Sequence, residues 1–312
     1  MIDRRAFCAS VAGALASVPR CGAAQANAAL KIGVFAAEVA AQPFYGVAGG
    51  FFKKAGLDVA LETFTSGAAI APGLVSGALD IGVLDWTSVI RAHARGLPFV
   101  YLTPGILTST ATPGFAVVVP ADSPIHEAAD FNNRTIATNG IGNIGQLATD
   151  VWIDRNGGDW QSVKWLEVPL ATTLDGLRQK RFDASPLAEP WLGVAREQGF
   201  RLIFPSKNPI APYLGNGWIA TGDWVHRNAD AARRFVGAMR ETSRWANAHG
   251  AAAAPLLAKF TNQDVTTIAK SQRYFFAETF TPAYVQALID AAARYKFIND
   301  AFPASELFAG VG

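Results

Sequence analysis

The strongest constraint on the fold is an alternation of short apolar runs with amphipathic stretches between residues 31 and 205. The runs have the length of strands, and the stretches between them have helical spacing. The predicted strands are 31–36, 57–64, 81–85, 99–102, 114–119, 135–138, 163–168 and 201–205. The predicted helices between them are 43–55, 68–76, 146–156, 173–180 and 191–198. This alternation predicts an α/β fold of right-handed βαβ units, with mainly parallel sheets flanked by helices.

The pattern changes after a last strand-like run at 218–221. Only helical patterns follow, at 228–249, 251–259, 264–273 and 282–295. Asn228 and Thr281 are the predicted N-caps, and Pro282 occupies a first-turn position. Because helices cannot extend a parallel sheet, we predict that this segment packs around sheets formed by the preceding residues.

The length and composition indicate a globular protein with more than one core. A chain of 312 residues is longer than an ordinary small domain and fits two lobes. Half of its residues are hydrophobic and 17% are charged, which is not typical of a disordered or fibrous chain. Beyond residue 28 no apolar run approaches the ~20 residues of a membrane span.

Residues 1–28 have the features of an export signal. Arg4 and Arg5 form a basic start, residues 7–18 form an apolar stretch, and residues 24–26 or 26–28 offer small residues around a cleavage point. Asp3 and Phe7 add a partial resemblance to a twin-arginine leader, so the twin-arginine and the general secretory routes both stay open. We therefore predict export to the periplasm and exclude this signal peptide from the fold.

Cysteine and charge counts exclude several kinds of site and partner. Cys8 and Cys21 lie within the predicted signal peptide, so the exported chain would form neither a disulfide nor a thiolate metal site. Arg20 is a poor residue before a lipidated cysteine, and we expect no lipid anchor. Without residues 1–28 the chain has 24 basic and 24 acidic residues, after removal of three arginines and one aspartate. Nucleic acid is therefore not an expected partner.

Candidate binding residues lie in the loops that follow strands, because ligands of open parallel sheets bind beyond the carboxyl ends of the strands. Helices begin at the same places, with N–H groups free to donate. The loops are 41–45, 65–68, 85–88, 139–145, 170–173 and 186–191. They contain aromatic and small polar residues, and none of them contains an arginine or a lysine.

Motifs spread over residues 30–200 carry a resemblance to one protein family. They are, in chain order, 43–45 (PFY), 50–59 (GFFKKAGLDV), 66–67 (SG), 74–82 (LVSGALDIG), 114–120 (GFAVVVP), 182–184 (FDA) and 189–191 (EPW). In this order and spacing the chain resembles the aliphatic sulfonate, taurine, nitrate and thiamine-pyrimidine binding proteins of bacterial ABC importers.

The resemblance implies a type II periplasmic binding-protein fold, with two lobes and two chain crossings near 112–115 and 216–218. Lobe one would comprise residues 29–113 with 217–312, and lobe two would comprise residues 114–216. The resemblance further implies a monomeric periplasmic protein without a cofactor or catalytic activity. By hinge closure it would capture a small-molecule ligand for an ABC permease with its ATPase.

Carried over position by position, the resemblance implies a pocket of aromatic residues at strand ends and polar residues at helix starts. The expected ligand-binding residues are Phe44, Tyr45, Ser66, Asp85, Trp86, Asn143, Glu189, Trp191 and Trp218. The aromatic rings would stack on flat or alkyl groups, and the N–H groups at the starts of helices would hold an anionic oxygen.

Two carboxylates, Asp85 and Glu189, lie in these loops without a cation beside them. A strongly anionic ligand would have to overcome both of them with neutral donors alone. We therefore hypothesise a ligand with an amine or ring N–H group, such as a taurine-like aminosulfonate or a pyrimidine, rather than nitrate or sulfate. The alternative is that either carboxylate caps a helix or pairs with an arginine from outside these loops.

One motif favours a different class of protein. Residues 140–145 read G-x-G-x-x-G between a predicted strand and a predicted helix, and Glu167 lies at the next strand end, as in dinucleotide-binding sites. An exported nicotinamide- or flavin-dependent oxidoreductase is therefore the alternative function. No catalytic His–Lys pair lies at a strand end to support it. A pyrimidine synthase on the same fold would need a cysteine-rich iron motif, which residues 29–312 lack.

Overall fold

The computed structural model describes residues 29–108, 115–203, 213–271, 273–279 and 282–308. The strands are β1 (Leu30–Phe35), β2 (Val59–Phe64), β3 (Ile81–Asp85), β4 (Phe99–Pro104), β5 (Ile106–Thr108), β6 (Ala116–Val119), β7 (Thr135–Thr138), β8 (Lys164–Glu167), β9 (Ser185–Leu187), β10 (Arg201–Ile203), β11 (Tyr213–Leu214), β12 (Asn216–Thr221) and β13 (Phe275–Phe276). The α-helices are α1 (Gln42–Ala48), α2 (Phe51–Lys54), α3 (Gly67–Ser76), α4 (Trp86–Ala94), α5 (Ile144–Arg155), α6 (Leu170–Arg178), α7 (Trp191–Glu197), α8 (Gly222–Arg227), α9 (Ala229–Ala248), α10 (Gly250–Thr261), α11 (Val265–Lys270) and α12 (Ala283–Arg294).

The first sheet has five strands in the order β2-β1-β3-β12-β4. β1 pairs in parallel with β2 and β3, whereas β12 runs antiparallel to both β3 and β4. β12 comes from a much later part of the chain than the strands on either side of it. The first sheet is therefore complete only after the chain has formed a second sheet and returned.

The second sheet consists of two smaller pieces. β6 lies between β10 and β9 and is antiparallel to both, and β7 pairs in parallel with β8. A parallel bridge between Ile136 and Ala184 joins the pieces, and the Ala137 N–H donates to the Ala184 carbonyl at 2.9 Å. The joined order, β8-β7-β9-β6-β10, repeats the order of directions in the first sheet. Each half of the fold thus inserts one antiparallel strand next to the edge strand.

A third, three-stranded sheet, β11-β5-β13, is antiparallel. Only Gly105 separates β5 from β4, and only Gly215 separates β11 from β12. The segments that leave and re-enter the first sheet therefore lie side by side.

Helices α3, α4 and α5 each begin directly after a polar residue whose side chain caps the helix. Ser66, Asp85 and Asn143 are the N-caps of α3, α4 and α5, and each accepts a hydrogen bond from a backbone N–H three residues later. α3 then packs closely against the sheet at Gly82, where a Cβ atom would lie 2.3 Å from a side-chain carbon of Ile70. Glycine at this position allows the helix to approach the strand.

Residues of both main sheets are buried in apolar clusters, unlike those of an antiparallel sheet that has one face in water. Ile32, Val83 and Trp218 of the first sheet are fully buried in one large apolar cluster. In β6, successive residues Val117 and Val118 belong to different clusters, because side chains alternate between the faces of a strand. The second sheet is therefore covered on both faces, as sheets flanked by helices are.

The helices after β12 pack around the first sheet, as the sequence predicts. α9 is the longest helix, with 20 residues, and it contacts α1, α2 and β4. Phe235 of α9 stacks on Phe52 of α2 with 5.9 Å between ring centres. None of the helices in the described ranges combines the length and the hydropathy of a membrane span.

The α/β class is confirmed, and the two main sheets are mixed: one strand in each, β12 and β6, runs antiparallel to its neighbours, and the third sheet is antiparallel throughout. β13 also interrupts the segment predicted to contain only helices. Asn228 does precede α9, but its side-chain amide donates to the Trp224 carbonyl at 2.9 Å and makes no capping bond. Thr281, the crossing predicted to begin at residue 112 and the predicted signal peptide lie outside the described residues.

Candidate functional site

A cavity of about 110 Å³ lies where the carboxyl ends of strands from the two main sheets face each other. From the first sheet it is lined by the last residues of β1 and β3 and by the loops that follow β1 and β2. From the second it is lined by residues that follow β7 and β8 or lie in and directly after β9. β5 and the junction of β11 and β12 form another part of its wall. Strand ends of this kind are where α/β proteins bind ligands.

The wall of the cavity is largely apolar. Its main apolar side chains are Phe35, Val39, Ile106, Phe115, Ile144, Leu170 and Pro186, and its polar ones are Ser66, Asp85, Thr108, Asn139, Asn143 and Asn216. The described residues that line it include no lysine, arginine or histidine. A cavity of this volume suits a small molecule, since an apolar cavity of about 150 Å³ holds one benzene ring.

Helices α3 and α5 both begin at the cavity. Ser66 precedes α3 and Asn143 precedes α5, and each side chain accepts one N–H of its helix, at 3.4 and 2.9 Å. The first turn of a helix has four N–H groups without an intrahelical acceptor, so the caps satisfy only some of them. The N–H groups of Gly67, Ala68 and Gly145 have no acceptor among the described residues, and all three residues line the cavity.

Asp85 connects the two sides of the cavity. Its Oδ1 accepts the N–H of Ser88 in α4 and the N–H of Ile144 at the start of α5, each at 3.1 Å. Its Oδ2 accepts the Ser88 hydroxyl at 2.6 Å. Burial raises the pKa of Asp85, while the bonds from Ser88 and Ile144 and the charge of Arg91 act to lower it. Asp85 therefore already accepts from the N-termini of two helices.

Asn216 and Thr108 form the polar part of the wall near the third sheet. Asn216 is buried opposite Asp85 in the pairing of β12 with β3; its Oδ1 accepts the Ile106 N–H at 2.9 Å and its Nδ2 donates to the Val39 carbonyl at 2.6 Å. Thr108 is 1% exposed, and its hydroxyl has no hydrogen-bond partner in the part of the chain that the structure describes. A buried hydroxyl of this kind is available to a ligand.

Of the nine predicted ligand-binding residues, Ser66, Asp85 and Asn143 line the cavity. Trp86 and Trp218 instead lie wholly inside the core of the first sheet. Trp86 stacks on Tyr101 with 4.6 Å between ring centres, and Trp218 donates from Nε1 to the Gln42 side chain at 2.7 Å. Core packing thus accounts for both tryptophans.

The aromatic pair after β1 also packs away from the cavity wall. Phe44 stacks on Phe260 of α10 with 5.1 Å between ring centres. Tyr45 is fully buried, and its hydroxyl accepts from Arg273 at 3.0 Å. Because residues 42–48 form α1 rather than a loop, these rings face the C-terminal helices.

Glu189 and Trp191 lie near the cavity without lining it. Glu189 is 3% exposed; its carboxylate pairs with Arg196 at 2.7 Å and accepts the Gly193 N–H at 2.9 Å. Glu189 is therefore paired with an arginine from outside the predicted ligand contacts, and Asp85 caps a helix. These are the two alternatives that the sequence left open for the carboxylates. Trp191 donates from Nε1 to the Ala36 carbonyl at 3.4 Å, which links α7 to the residue after β1.

Several lining residues were not among the predicted ones. Asn139 and Leu170 belong to strand-end loops that the sequence does identify, although neither residue was predicted as a ligand contact. Thr108 belongs to β5 of the third sheet, and Asn216 belongs to β12, the antiparallel strand of the first sheet. Local sequence patterns do not reveal either pairing. Their positions depend on pairing between distant segments.

The G-x-G-x-x-G segment, residues 140–145, forms the loop between β7 and α5, but three of its N–H groups are already bound to side chains. The N–H groups of Ile141, Gly142 and Ile144 donate to side chains of the protein, including Glu167 at 3.3 Å. Arg91 also binds the Ile141 carbonyl at 2.8 Å. The cavity is moreover far smaller than a dinucleotide. The oxidoreductase alternative is therefore not supported.

A family model described as NMT1/THI5 like matches residues 39–253, more than two thirds of the chain. The chain belongs to this family. A protein of Brucella abortus (strain 2308) is 23% identical over 238 residues, which cover 69% of this chain and 66% of the relative. A protein of Brucella suis biovar 1 (strain 1330) matches to the same extent. The match thus spans slightly less than two thirds of these relatives.

Solved structures share the fold of this NMT1/THI5-like chain. The alkanesulfonate-binding protein SsuA of Xanthomonas axonopodis pv. citri, bound to MOPS, has a TM-score of 0.76 at 15% identity, covering 90% of this chain and 98% of its own. The Escherichia coli aliphatic sulphonate binding protein has a TM-score of 0.72 at 16% identity, with 90% and 92% covered. The nitrate-binding protein of Synechocystis PCC 6803 has a TM-score of 0.73 at 15% identity, with 89% and 84% covered. The fold is that of periplasmic binding proteins.

Proposed function

We propose that this protein is the exported solute-binding component of an ABC importer and that it holds a small organic molecule between two lobes. Lobe one would comprise residues 29–113 with 217–312, and lobe two residues 114–216. The observation that carries the proposal is the position of the cavity, which strand ends of two separate sheets line together. Membership of the NMT1/THI5-like family supports it. We infer binding without catalysis, delivery to a permease with its ATPase, and a periplasmic, monomeric protein.

The hinge of such a protein would lie in the third sheet. β5 and β11 are antiparallel neighbours and continue through single glycines into β4 and β12 of the first sheet. Two adjacent extended segments can bend together while the lobes move as rigid bodies. Hydrogen bonds that cross the proposed cleft, such as that from the Ile144 N–H to Asp85, support a closed arrangement in this structure.

The proposed ligand is a compact organic solute, and the sequence suggests a sulfonate or taurine-like compound or a pyrimidine-like one. The names of the structural relatives support the sulfonate. The apolar wall and the absence of a cation among its described residues support the ring compound. We keep Ser66, Asp85 and Asn143 as the proposed ligand contacts from the sequence.

Native mass spectrometry of protein purified from its own host tests whether a small molecule occupies this cavity. We expect a co-purified compound that is released on unfolding and that is absent from Ala68→Trp, because Ala68 is an exposed residue at the cavity and an indole there would fill the entrance. Val75→Trp is the matched control: it adds the same group to the same helix at a 52% exposed position outside the cavity lining. Retention of the compound by Ala68→Trp, or its chemical conversion by the purified protein, would count against the proposal.

A disulfide across the cleft tests the hinge. A Cβ atom on Gly140 would lie 3.8 Å from that of Ala68, which matches disulfide geometry, and residues 29–312 contain no other cysteine. We expect Ala68→Cys with Gly140→Cys, once oxidised, to lose ligand exchange and to regain it on reduction. The two single variants control for the substitutions themselves. Equal exchange rates in the oxidised and reduced double variant would refute closure around the ligand.

A further inference from the structure

The charge and hydrogen bonding at the end of the cavity restrict which ligands it can take. A helix N-terminus binds anions because its free N–H groups point outward. Here one carboxylate oxygen, Asp85 Oδ1, receives an N–H from each of two helices, at 3.1 Å from Ser88 and 3.1 Å from Ile144. Asp85 thus occupies the position that an oxygen of an anionic ligand would take between α4 and α5.

Among the residues that the structure describes, no side chain supplies a compensating positive charge inside the cavity. The described lining residues include no lysine, arginine or histidine. Arg91 is the cation whose charge acts on Asp85, but its guanidinium is bound to the Ile141 carbonyl at 2.8 Å and does not line the cavity. An anionic ligand would have only neutral N–H donors to offset the cost of its burial, which is several kcal/mol for a charge without a counter-charge, so it would be disfavoured beside Asp85.

Both forms of Asp85 act in the same direction. An ionised carboxylate repels an anion directly. A neutral carboxyl would no longer repel it, but Oδ1 would still accept the N–H groups of Ser88 and Ile144 and withhold them from the ligand. The occupation of these two N–H groups therefore does not depend on the protonation state, whereas the direct repulsion does.

The remaining free groups suit an uncharged molecule. Thr108 offers a hydroxyl that is 1% exposed and has no partner among the described residues. The N–H groups of Gly67 and Ala68 can donate to a carbonyl or ring nitrogen. The rest of the wall, including Phe35, Phe115 and Leu170, is apolar and suits a ring or a short alkyl chain.

We propose that Asp85 determines specificity by excluding anions, and that the ligand is a small, uncharged, largely apolar molecule with one polar group near Thr108. This inference rests on the proposed function, because it assumes that the cavity is the ligand site. It distinguishes this chain from a receptor for inorganic anions or sulfonates.

Matched probes of equal size test the inference by calorimetric titration. Benzamide, benzoate and benzamidine have the same shape and about nine non-hydrogen atoms each, and the cyclohexane and pyridine analogues extend the set. We expect the wild-type protein to bind the amides at least about tenfold more tightly than the carboxylates and the amidines, a difference of about 1.4 kcal/mol.

A preference for the carboxylates or the amidines would overturn the inference and leave the proposed function intact. Binding of none of the probes would overturn the inference too, whereas absence of any co-purified compound would overturn the proposed function.

Two variants of Asp85 separate the effect of its charge from the effect of its hydrogen bonds to the N–H groups of Ser88 and Ile144. Asp85→Asn removes the charge and keeps an accepting oxygen, whereas Asp85→Ser keeps a cap for α4 and is too short to hold the Ile144 N–H. We expect carboxylate affinity to rise about threefold in Asp85→Asn and at least about tenfold in Asp85→Ser, with unchanged circular dichroism. Glu167→Gln is the control, because Glu167 accepts the neighbouring Ile141 N–H outside the cavity lining and should leave the preference unchanged. No gain of carboxylate affinity in a folded Asp85→Ser variant would refute the role of Asp85.

Discussion

Asp150 in α5 should make the stability of the protein depend on pH. Its side chain is 1% exposed and accepts the Trp165 Nε1–H at 3.2 Å. Within the described chain no arginine or lysine forms an ion pair with it. Burial raises its pKa from 3.8 to about 8, against the lowering effect of bonds from Trp165 and Gln146. The folded protein therefore keeps a proton on Asp150 that the unfolded chain releases.

The sign and size of the effect follow from this difference in pKa. Because the folded pKa of Asp150 is the higher one, its contribution is fully present below about pH 4 and is lost as the pH rises through about 8. A gap of about four pH units corresponds to at most about 6 kcal/mol. Water that enters around the ionised carboxylate lowers this cost, and we expect about 3 kcal/mol. For a chain of this size that is a change in Tm of about 6–12 °C.

Thermal unfolding of Asp150→Asn at about pH 5 and about pH 9 measures this contribution. The amide keeps an oxygen for Trp165 and cannot ionise, so the variant should lose less stability than the wild type between these two pH values. Glu38, whose pKa burial raises to about 7, adds the same pH dependence to both proteins and cancels in the comparison. Asp223→Asn, at an exposed position, is the matched control. Equal changes in Tm for wild type and Asp150→Asn would refute the reasoning.

Three further substitutions test contacts around the cavity. Asn216→Ala should lower the free energy of unfolding by about 2–4 kcal/mol in urea, because it leaves the buried Ile106 N–H and the part-buried Val39 carbonyl without partners; a loss below about 1 kcal/mol would contradict the burial of this N–H. Arg196→Ala should destabilise by about 2 kcal/mol, since it leaves the Glu189 carboxylate unpaired, and Arg196→Lys should recover part of this. Trp191→Ala should weaken ligand binding about threefold to tenfold in a folded protein, because it removes a bond to Ala36 across the cleft; an unchanged Kd would assign the ring to packing alone.

The sequence predicted most of the first half of the fold and the polar starts of its helices. β3 and β7 have the predicted bounds, and Ser66, Asp85 and Asn143 cap helices beside the cavity. These features depend on residues only a few positions apart. The aromatic predictions were less informative, because Trp86 and Trp218 have the same local setting as ligand-facing residues but point into the core.

By itself the sequence determined the α/β class, the positions of most helices and strands, the loops that form the cavity and the family to which the chain belongs. Tertiary structure alone decided the antiparallel insertion of β12 and β6, the third sheet and the partners of the two carboxylates. Asp85 bonds to Ile144, 59 residues away, and Asn216 reaches Val39, 177 residues away. Periodicity and capping are local properties of a chain, whereas strand direction and the pairing of buried polar groups are settled only when distant segments pack together.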